Sequence, residues 1–242
     1  MLQKSKAIVL HTLRYKDNSL IVYCYSEQFG RITFLVNGAF KTGKLPGKAV
    51  YFQHFAILDV VFYQTNRAEM CRVKEVSVPI SLTSIPFDPV KRSVVLFLSE
   101  VIYRTVKEEE SNPTFYSFLE NTIHLFDITQ SGVANFHLVF LLQLSRYLGF
   151  YPTNTWTKET PYFDYKNGTF VSFTAQHRFY LDAEASKLLS RVITTPFHKT
   201  DELILNHNQR LRVIDGILNY YRFHLGNFLE FNSLPVLSQL YV

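Results

Sequence analysis

Lys41, Lys44 and Lys48 are interleaved with Gly38, Gly43 and Gly47 in one short segment, VNGAFKTGKLPGK over residues 36–48. Residues of these types at this density meet phosphate: ammonium groups supply charge, and glycines let backbone amides approach an oxyanion. The letters nearly spell a nucleotide-binding P-loop, G-x-x-x-x-G-K-[ST]. Gly38, Gly43 and Lys44 fit it, but Leu45 stands where a hydroxyl must hold magnesium, and leucine coordinates no cation. Pro46-Gly47 follows at once and favours a turn over the helix whose amides would cradle the phosphates. No later strand ends in an aspartate placed to be a second magnesium ligand. With nucleotide hydrolysis set aside, the backbone of a nucleic acid is the polyanion left. The plainer alternative is a solvated loop whose lysines serve solubility.

Other chemistry does not emerge. The chain contains no G-x-S-x-G, H-E-x-x-H or C-x-x-C, and its eight histidines are scattered without metal-ligand spacing. Glu108-Glu109-Glu110 is the densest acidic run, and three consecutive carboxylates read as a solvated loop. The expectation is a binding protein, not an enzyme, with no cofactor and no metal.

Charge supports a polyanion. Residues 1–80 hold 11 Lys/Arg against 5 Asp/Glu, a balance of 11 − 5 = +6, whereas residues 81–242 hold 14 against 15, or 14 − 15 = −1. All of the excess positive charge is in the front part, where it concentrates and steers a nucleic acid. At 242 residues and 47% apolar content the chain is long enough for one large or two small domains with real cores. Its longest apolar run, around residues 138–144, is interrupted by Gln143 and is far short of the ~18 residues a membrane span needs. The amino terminus shows no small-residue cleavage site, and Cys24 and Cys71 lie in strand-like runs. Both features suit a reducing cytoplasm.

The elements that must position the lysines follow from the apolar period. Runs over 7–13, 20–25, 32–36, 50–63 and 70–78 are short, β-branched or aromatic, and separated by turn residues. They predict five strands. Residues 20–25 are apolar on both faces, as in a barrel strand covered from outside, and a five-stranded barrel of this size is an OB-fold. Beyond residue 80 the period turns helical. Asp88-Pro89 and Asn112-Pro113 each start a helix, a third spans about 134–148 and stops at Gly149, Asp182 caps a fourth, and a fifth runs from about 208 to Gly226. Between 151 and 180 the chain is irregular, with Asn167-Gly168 flanked by aromatic and β-branched residues as a hairpin signal. The expected fold is therefore α+β: an OB-fold domain over 1–80, then a helical domain over 81–242 with a small β-hairpin insert at 151–180.

Several strings carry a family resemblance. KAIVLHTLRYKDNSLIV over 6–22 and FGRITFLVNGA over 29–39 resemble, in order and spacing, the start of the bacterial recombination mediator family RecO. Tyr147-Leu148-Gly149-Phe150 is similar to the end of that family's central helix, and YYRFHLG over 220–226 with SLPVL over 233–237 resembles its closing helices. The resemblance spans almost the whole chain. It implies an OB-fold and a helical domain, and a non-enzymatic role in DNA repair and recombination. It further implies binding of single- and double-stranded DNA, annealing of complementary strands, and action with RecR to load RecA onto DNA coated by single-strand-binding protein, in the cytoplasm at the nucleoid. Many members carry four cysteines as a zinc ribbon after the Tyr-Leu-Gly-Phe turn. Residues 149–181 contain no cysteine and offer only His177, whereas structural zinc needs four N or S ligands. No zinc is expected, and Trp156, Tyr162, Phe163 and Phe170 are expected to fill that volume by apolar packing.

For DNA contact the candidates are Lys41, Lys44 and Lys48 in the loop, Arg14, Lys16 and Arg31 at neighbouring turns, and Arg72 and Lys74, which alternate along the fifth strand and share a face. Tyr15, Phe29, Phe40, Tyr51 and Phe52 are of a type that fills cores, but Tyr15 and Phe40, in loops, are candidates for base stacking. The resemblance also implies a site for the acidic, phenylalanine-ended tail of single-strand-binding protein. Arg92, Arg104 and Arg146 are candidates for its rim. The competing reading is an OB-fold RNA-binding protein or protein-interaction scaffold without annealing activity.

Overall fold

The computed structural model describes residues 1–40, 47–64, 70–173, 178–226 and 230–239. Strands β1 (Leu2–Tyr15), β2 (Ser19–Ser26), β3 (Gly30–Asn37), β4 (Ile57–Tyr63) and β5 (Cys71–Ser77) close into a barrel in the order β1-β2-β3-β5-β4. Neighbours are antiparallel except β3 and β5, which run parallel with Phe34 opposite Cys71 and Leu35 opposite Arg72. This is the closure of an OB-fold. One strand serves both sides of the seam. The first half of β1 pairs with β4 and the second half with β2, and a register slip between Val9 and His11 turns it round the corner. Alternation sends Leu20, Val22, Cys24, Phe34, Val36, Leu58, Val60 and Phe62 into the interior. There Phe29 and Phe34 meet Phe62 edge-on at 5.5 and 5.1 Å.

Two elements differ from the sequence expectation. β1 starts at Leu2, not at residue 7, because β4 pairs with it from Leu2 opposite Tyr63. The apolar run 50–63 is also not one strand: Lys48–Tyr51 forms a 3-10 turn and β4 begins only at Ile57. Between them Phe55 takes a left-handed φ of 64°, its N–H donates to the Val9 carbonyl at 2.8 Å, and the Val9 N–H donates to the Ala56 carbonyl at 3.0 Å. The segment plugs into the β1 bulge before the ladder starts.

The outer face of β2 is covered by α1 (Pro89–Thr105) and α2 (Pro113–Ile128). The Asp88 carboxylate caps α1, accepting from the Val90 and Lys91 amides at 2.8 and 3.1 Å. Tyr25 meets Phe115 of α2 at 4.9 Å, and Tyr103 of α1 packs against His11 and Tyr23 at 4.7 and 5.0 Å. The link between the helices is pinned to the β2–β3 turn, with the Arg31 N–H on the Glu108 carbonyl at 2.9 Å and the Ser111 hydroxyl on the Glu27 carbonyl at 2.8 Å. Gly30, at φ 58°, passes so close that a Cβ would run into the Glu110 carbonyl. The change of period near residue 80 is thus where strands give way to helices, while the compact unit continues through Met1–Ile128.

A buried carboxylate secures that unit. Asp127 accepts from the Thr83 amide and hydroxyl at 2.7 and 3.0 Å and from the Ser84 and Ile85 amides at 2.9 and 2.8 Å. Lys91, also buried, donates its ammonium to the Ser84 hydroxyl at 2.7 Å and to the Asp127 carbonyl at 2.8 Å.

The second unit, Thr129–Val242, contains α3 (Val133–Tyr147), α4 (Ala183–Thr194), α5 (His207–Leu225) and α6 (Leu234–Gln239). The last is a short helix beyond the five read from the apolar period, in the segment that resembles the family's closing helices. A small sheet in the order β7-β6-β8 joins β6 (Tyr162–Asp164), β7 (Thr169–Val171) and β8 (Tyr180–Leu181). Asn167-Gly168 makes its hairpin, with Gly168 at φ 61° donating to the Asp164 carbonyl at 2.9 Å. Phe163 and Phe170 are buried 5.0 Å apart, Phe163 lies 5.2 Å from Tyr220, and the Tyr220 hydroxyl donates to the Phe150 carbonyl at 2.7 Å. Tyr162 and Trp156 are half-buried. His177 lies outside the described residues. With no cysteine between residues 149 and 181, the donor set does not fit a zinc ribbon. Among the described residues no helix is long and apolar enough to cross a membrane.

Two outcomes follow. Elemental analysis of purified protein is expected to find zinc far below stoichiometric, and chelator is expected to leave the melting temperature unchanged; stoichiometric zinc would contradict the aromatic packing of the insert. Burial alone would raise the Asp127 pKa, but its hydrogen bonds from Ile85, Thr83 and Ser84 outweigh this and hold it below the ordinary 3.8. Its stabilisation is therefore present above pH 3.8 and is lost as pH falls through the depressed folded value. Asp127→Asn should cost about 1.5–3 kcal/mol at pH 7, and its melting-temperature deficit relative to the parent should shrink towards pH 3. A deficit that stays constant with pH would contradict the assignment.

Candidate nucleic-acid interface

The β1–β2 turn is short and tight. Tyr15 and Ser19 close the ladder, Lys16 takes a left-handed φ of 54°, and the Arg14 guanidinium donates to the Asp17 carbonyl at 3.3 Å. The Arg14 guanidinium lies 5.0 Å over the Phe40 ring, and the Lys16 ammonium lies 5.2 Å from the Tyr15 ring. Two sequence candidates for charge and two for stacking are thus brought together at one end of the barrel. Phe40 is carried there by Ala39, whose N–H donates to the Asn18 carbonyl at 2.9 Å.

The same tether leads to the second group of cations. The Ala39 carbonyl accepts from the Ala49 N–H at 3.0 Å, which holds the 48–51 turn against the β3 end. From that turn Lys48 reaches the Lys74 carbonyl at a long 3.5 Å. Lys74 is the extra residue of a bulge on β5, since Val61 pairs with Glu75 and Phe62 with Val73. Its exposed ion pair with Glu75, at 3.2 Å, holds it only weakly. Arg72, exposed, stands in an outward-facing row defined by register: Leu13, Ile21, Leu35, Arg72 and Tyr63. OB-folds bind oligonucleotides on the strand 2–3 face and adjoining loops. Here the strand row is aliphatic apart from Arg72 and the exposed Tyr63. Lys41 and Lys44 lie outside the described residues.

Arg31 does not join this surface. Its guanidinium sits 4.4 Å over the Tyr103 ring and 5.7 Å from Tyr23, and donates to the Tyr103 and Val106 carbonyls at 3.2 and 3.4 Å. Burial pulls its pKa down from the ordinary value, though a guanidinium remains charged. It joins β3 to the end of α1. In the ladder Arg31 pairs with Tyr25, which belongs to the strand with two apolar faces. Of the aromatics, Phe52 is core and Phe29 packs against it, but Tyr51 is 38% exposed, contrary to its reading as a core residue.

Of the three arginines expected to rim a peptide site, two belong to the first unit and one to the second. Arg92 and Arg104 are twelve positions apart on α1, about 18 Å at the helical rise, and Arg104 is held by Glu100 at 2.9 Å. Arg146 belongs to α3 in the other unit, where its guanidinium lies 4.3 Å over Tyr151. Glu108, Glu109 and Glu110 are exposed, and among the described residues no three Cys, His, Asp or Glu side chains gather as metal ligands.

Comparison with known proteins returns one family over both halves of the chain. Residues 1–79 match the model for the N terminus of recombination protein O, and residues 86–234 match the model for its C terminus. A DNA repair protein RecO of Bacteroides fragilis is 37% identical over 242 residues, covering 100% of both chains. One of Flavobacterium psychrophilum is 34% identical over 238 residues, covering 98% of both. One of Porphyromonas gingivalis is 28% identical over 244 residues, again across 100% of each.

Arg31→Ala should destabilise the barrel unit by about 2 kcal/mol through lost charged hydrogen bonds, read as a lower melting temperature. DNA affinity of the folded protein should change less than about twofold, as expected for a residue without a phosphate contact. A large affinity loss with unchanged stability would return Arg31 to the interface.

Proposed function

This chain belongs to the RecO family of DNA repair and recombination proteins, and we propose that it binds DNA through the barrel, anneals complementary strands and helps load RecA onto single strands coated by single-strand-binding protein. The observation that carries the reading is the exposed cationic group of Arg14, Lys16, Lys48, Arg72 and Lys74, set around the end of an OB barrel with Tyr15 and Phe40 among them. Cations in loops grip the sugar–phosphate chain without reading sequence, and loop aromatics give unpaired bases a face to stack on. Annealing needs both properties. It requires two like-charged strands to be neutralised in one place while their bases remain free to pair. No bond is made or broken, so the role is binding and not catalysis.

In this reading residues 1–80 carry the DNA contacts, and the helical part, 81–242, meets protein partners: RecR and the acidic tail of single-strand-binding protein. The protein acts in the cytoplasm at the nucleoid, on single- and double-stranded DNA.

Annealing of complementary oligonucleotides coated with single-strand-binding protein is the test. The parent should accelerate it, and Lys48→Glu/Arg72→Glu/Lys74→Glu should lose about tenfold or more, as several phosphate contacts are reversed in sign, with its circular dichroism unchanged. Full activity in that variant would refute the site. No acceleration by the parent would refute the mediator role and favour an RNA-binding protein or scaffold.

A further inference from the structure

A cavity of about 210 Å³ lies beside the cationic turn, between residues 50–57 and 78–86. Its walls include Val50, Tyr51, Gln53, His54, Ile80 and Ser81. Val50, Tyr51 and Ile80 are among the exposed large apolar side chains of the molecule. At below the roughly 300–1,000 Å³ of sites for drug-sized ligands, the space suits one planar ring system, not a whole nucleotide.

Its chemistry narrows the occupant. Aliphatic side chains and the Tyr51 ring offer apolar faces, while the Gln53 amide, the Ser81 hydroxyl and the His54 imidazole offer donors and acceptors for a ring edge. No carboxylate lies among the described lining residues. Lys48 is exposed in the same 3-10 turn as the lining residues Val50 and Tyr51, so a cation stands two residues along the chain from the cavity wall. The backbone adds a second observation. Phe55, between the lining residues His54 and Ala56, holds a left-handed φ of 64°, fixed by hydrogen bonds to Val9 on both sides. Non-glycine residues in that region cost energy and cluster at ligand clamps.

We propose that this cavity receives one unstacked nucleobase of a bound single strand, stacked on Tyr51, while Lys48 holds an adjacent phosphate. The proposal rests on the DNA-binding reading above and adds to it a base site that the sequence did not indicate. A base held here is withdrawn from its neighbours, which fits a protein that handles single strands.

Affinity of the full chain for a single-stranded oligonucleotide, for the same oligomer made abasic throughout, and for a duplex tests it at fixed salt. Tyr51→Ala should weaken single-strand binding about tenfold, within the range for loss of one base–aromatic stack, and Tyr51→Phe should restore it. Abasic and duplex affinities should not change. Ile80→Trp, which fills the cavity from its exposed rim, should give the same selective loss. Equal single-strand affinity for the parent and both cavity variants overturns the base site, and if Lys48→Glu still weakens binding the DNA reading survives that failure. If the parent binds no DNA, both readings fail. A third result, loss of binding to an acidic aromatic-ended peptide on Tyr51→Ala with DNA affinity intact, would overturn the base site in favour of a peptide pocket.

Discussion

The Arg31 guanidinium, held over the Tyr103 ring and bonded to the carbonyls at the end of α1, ties one side of the barrel to the helix that covers it. A closed five-stranded barrel has outward side chains all round, and nothing in the barrel itself selects a binding side. Selection comes from what covers it. Tyr23, Tyr25 and His11 lie under α1 and α2, and Gly30 admits the 108–110 backbone where any side chain would collide. That side is therefore spent on stability. The β1–β2 turn, the 48–51 turn and β5 are left exposed, and Arg14, Lys16, Lys48, Arg72 and Lys74 stand there.

This division explains why two arginines of similar sequence context differ in role. Arg31 and Arg72 both lie on barrel strands and both face outward. Arg31 faces a helix and gives its charge to carbonyls and aromatic faces, where desolvation is offset by several weak contacts. Arg72 faces water between Leu35 and Tyr63, so its charge remains available to a phosphate. The tether Asn18–Ala39–Ala49 then links the turn bearing Lys16 to the turn bearing Lys48 by backbone hydrogen bonds alone. The spacing of the two turns thus depends on main chain.

Much of the fold was legible because local chemistry and global fold agree. Asp88-Pro89, Asn112-Pro113 and Asp182 start helices where expected, Asn167-Gly168 makes its hairpin, and the two-faced apolar strand is covered from outside. What was illegible depended on long-range pairing. The span 50–56 has strand-like residues but is bent into the β1 bulge, a feature set by a strand more than forty residues away. Arg31 read as a turn cation because its partners, Tyr103 and Val106, are distant in the chain. Tyr51 read as core because aromatic residues usually are, and only the 3-10 turn leaves it exposed. The RecO resemblance depended on order and spacing over the whole length, which survive such local errors.

The most direct measurement is the salt dependence of single-strand affinity for the parent and for Lys48→Glu/Arg72→Glu/Lys74→Glu. If these three exposed cations contact phosphates, the parent's log–log slope should be steeper than the variant's by about 2, since each lost contact on a single strand removes roughly 0.7. Parallel lines would contradict the account, because they would mean that Lys48, Arg72 and Lys74 release no counterions and contact no phosphate.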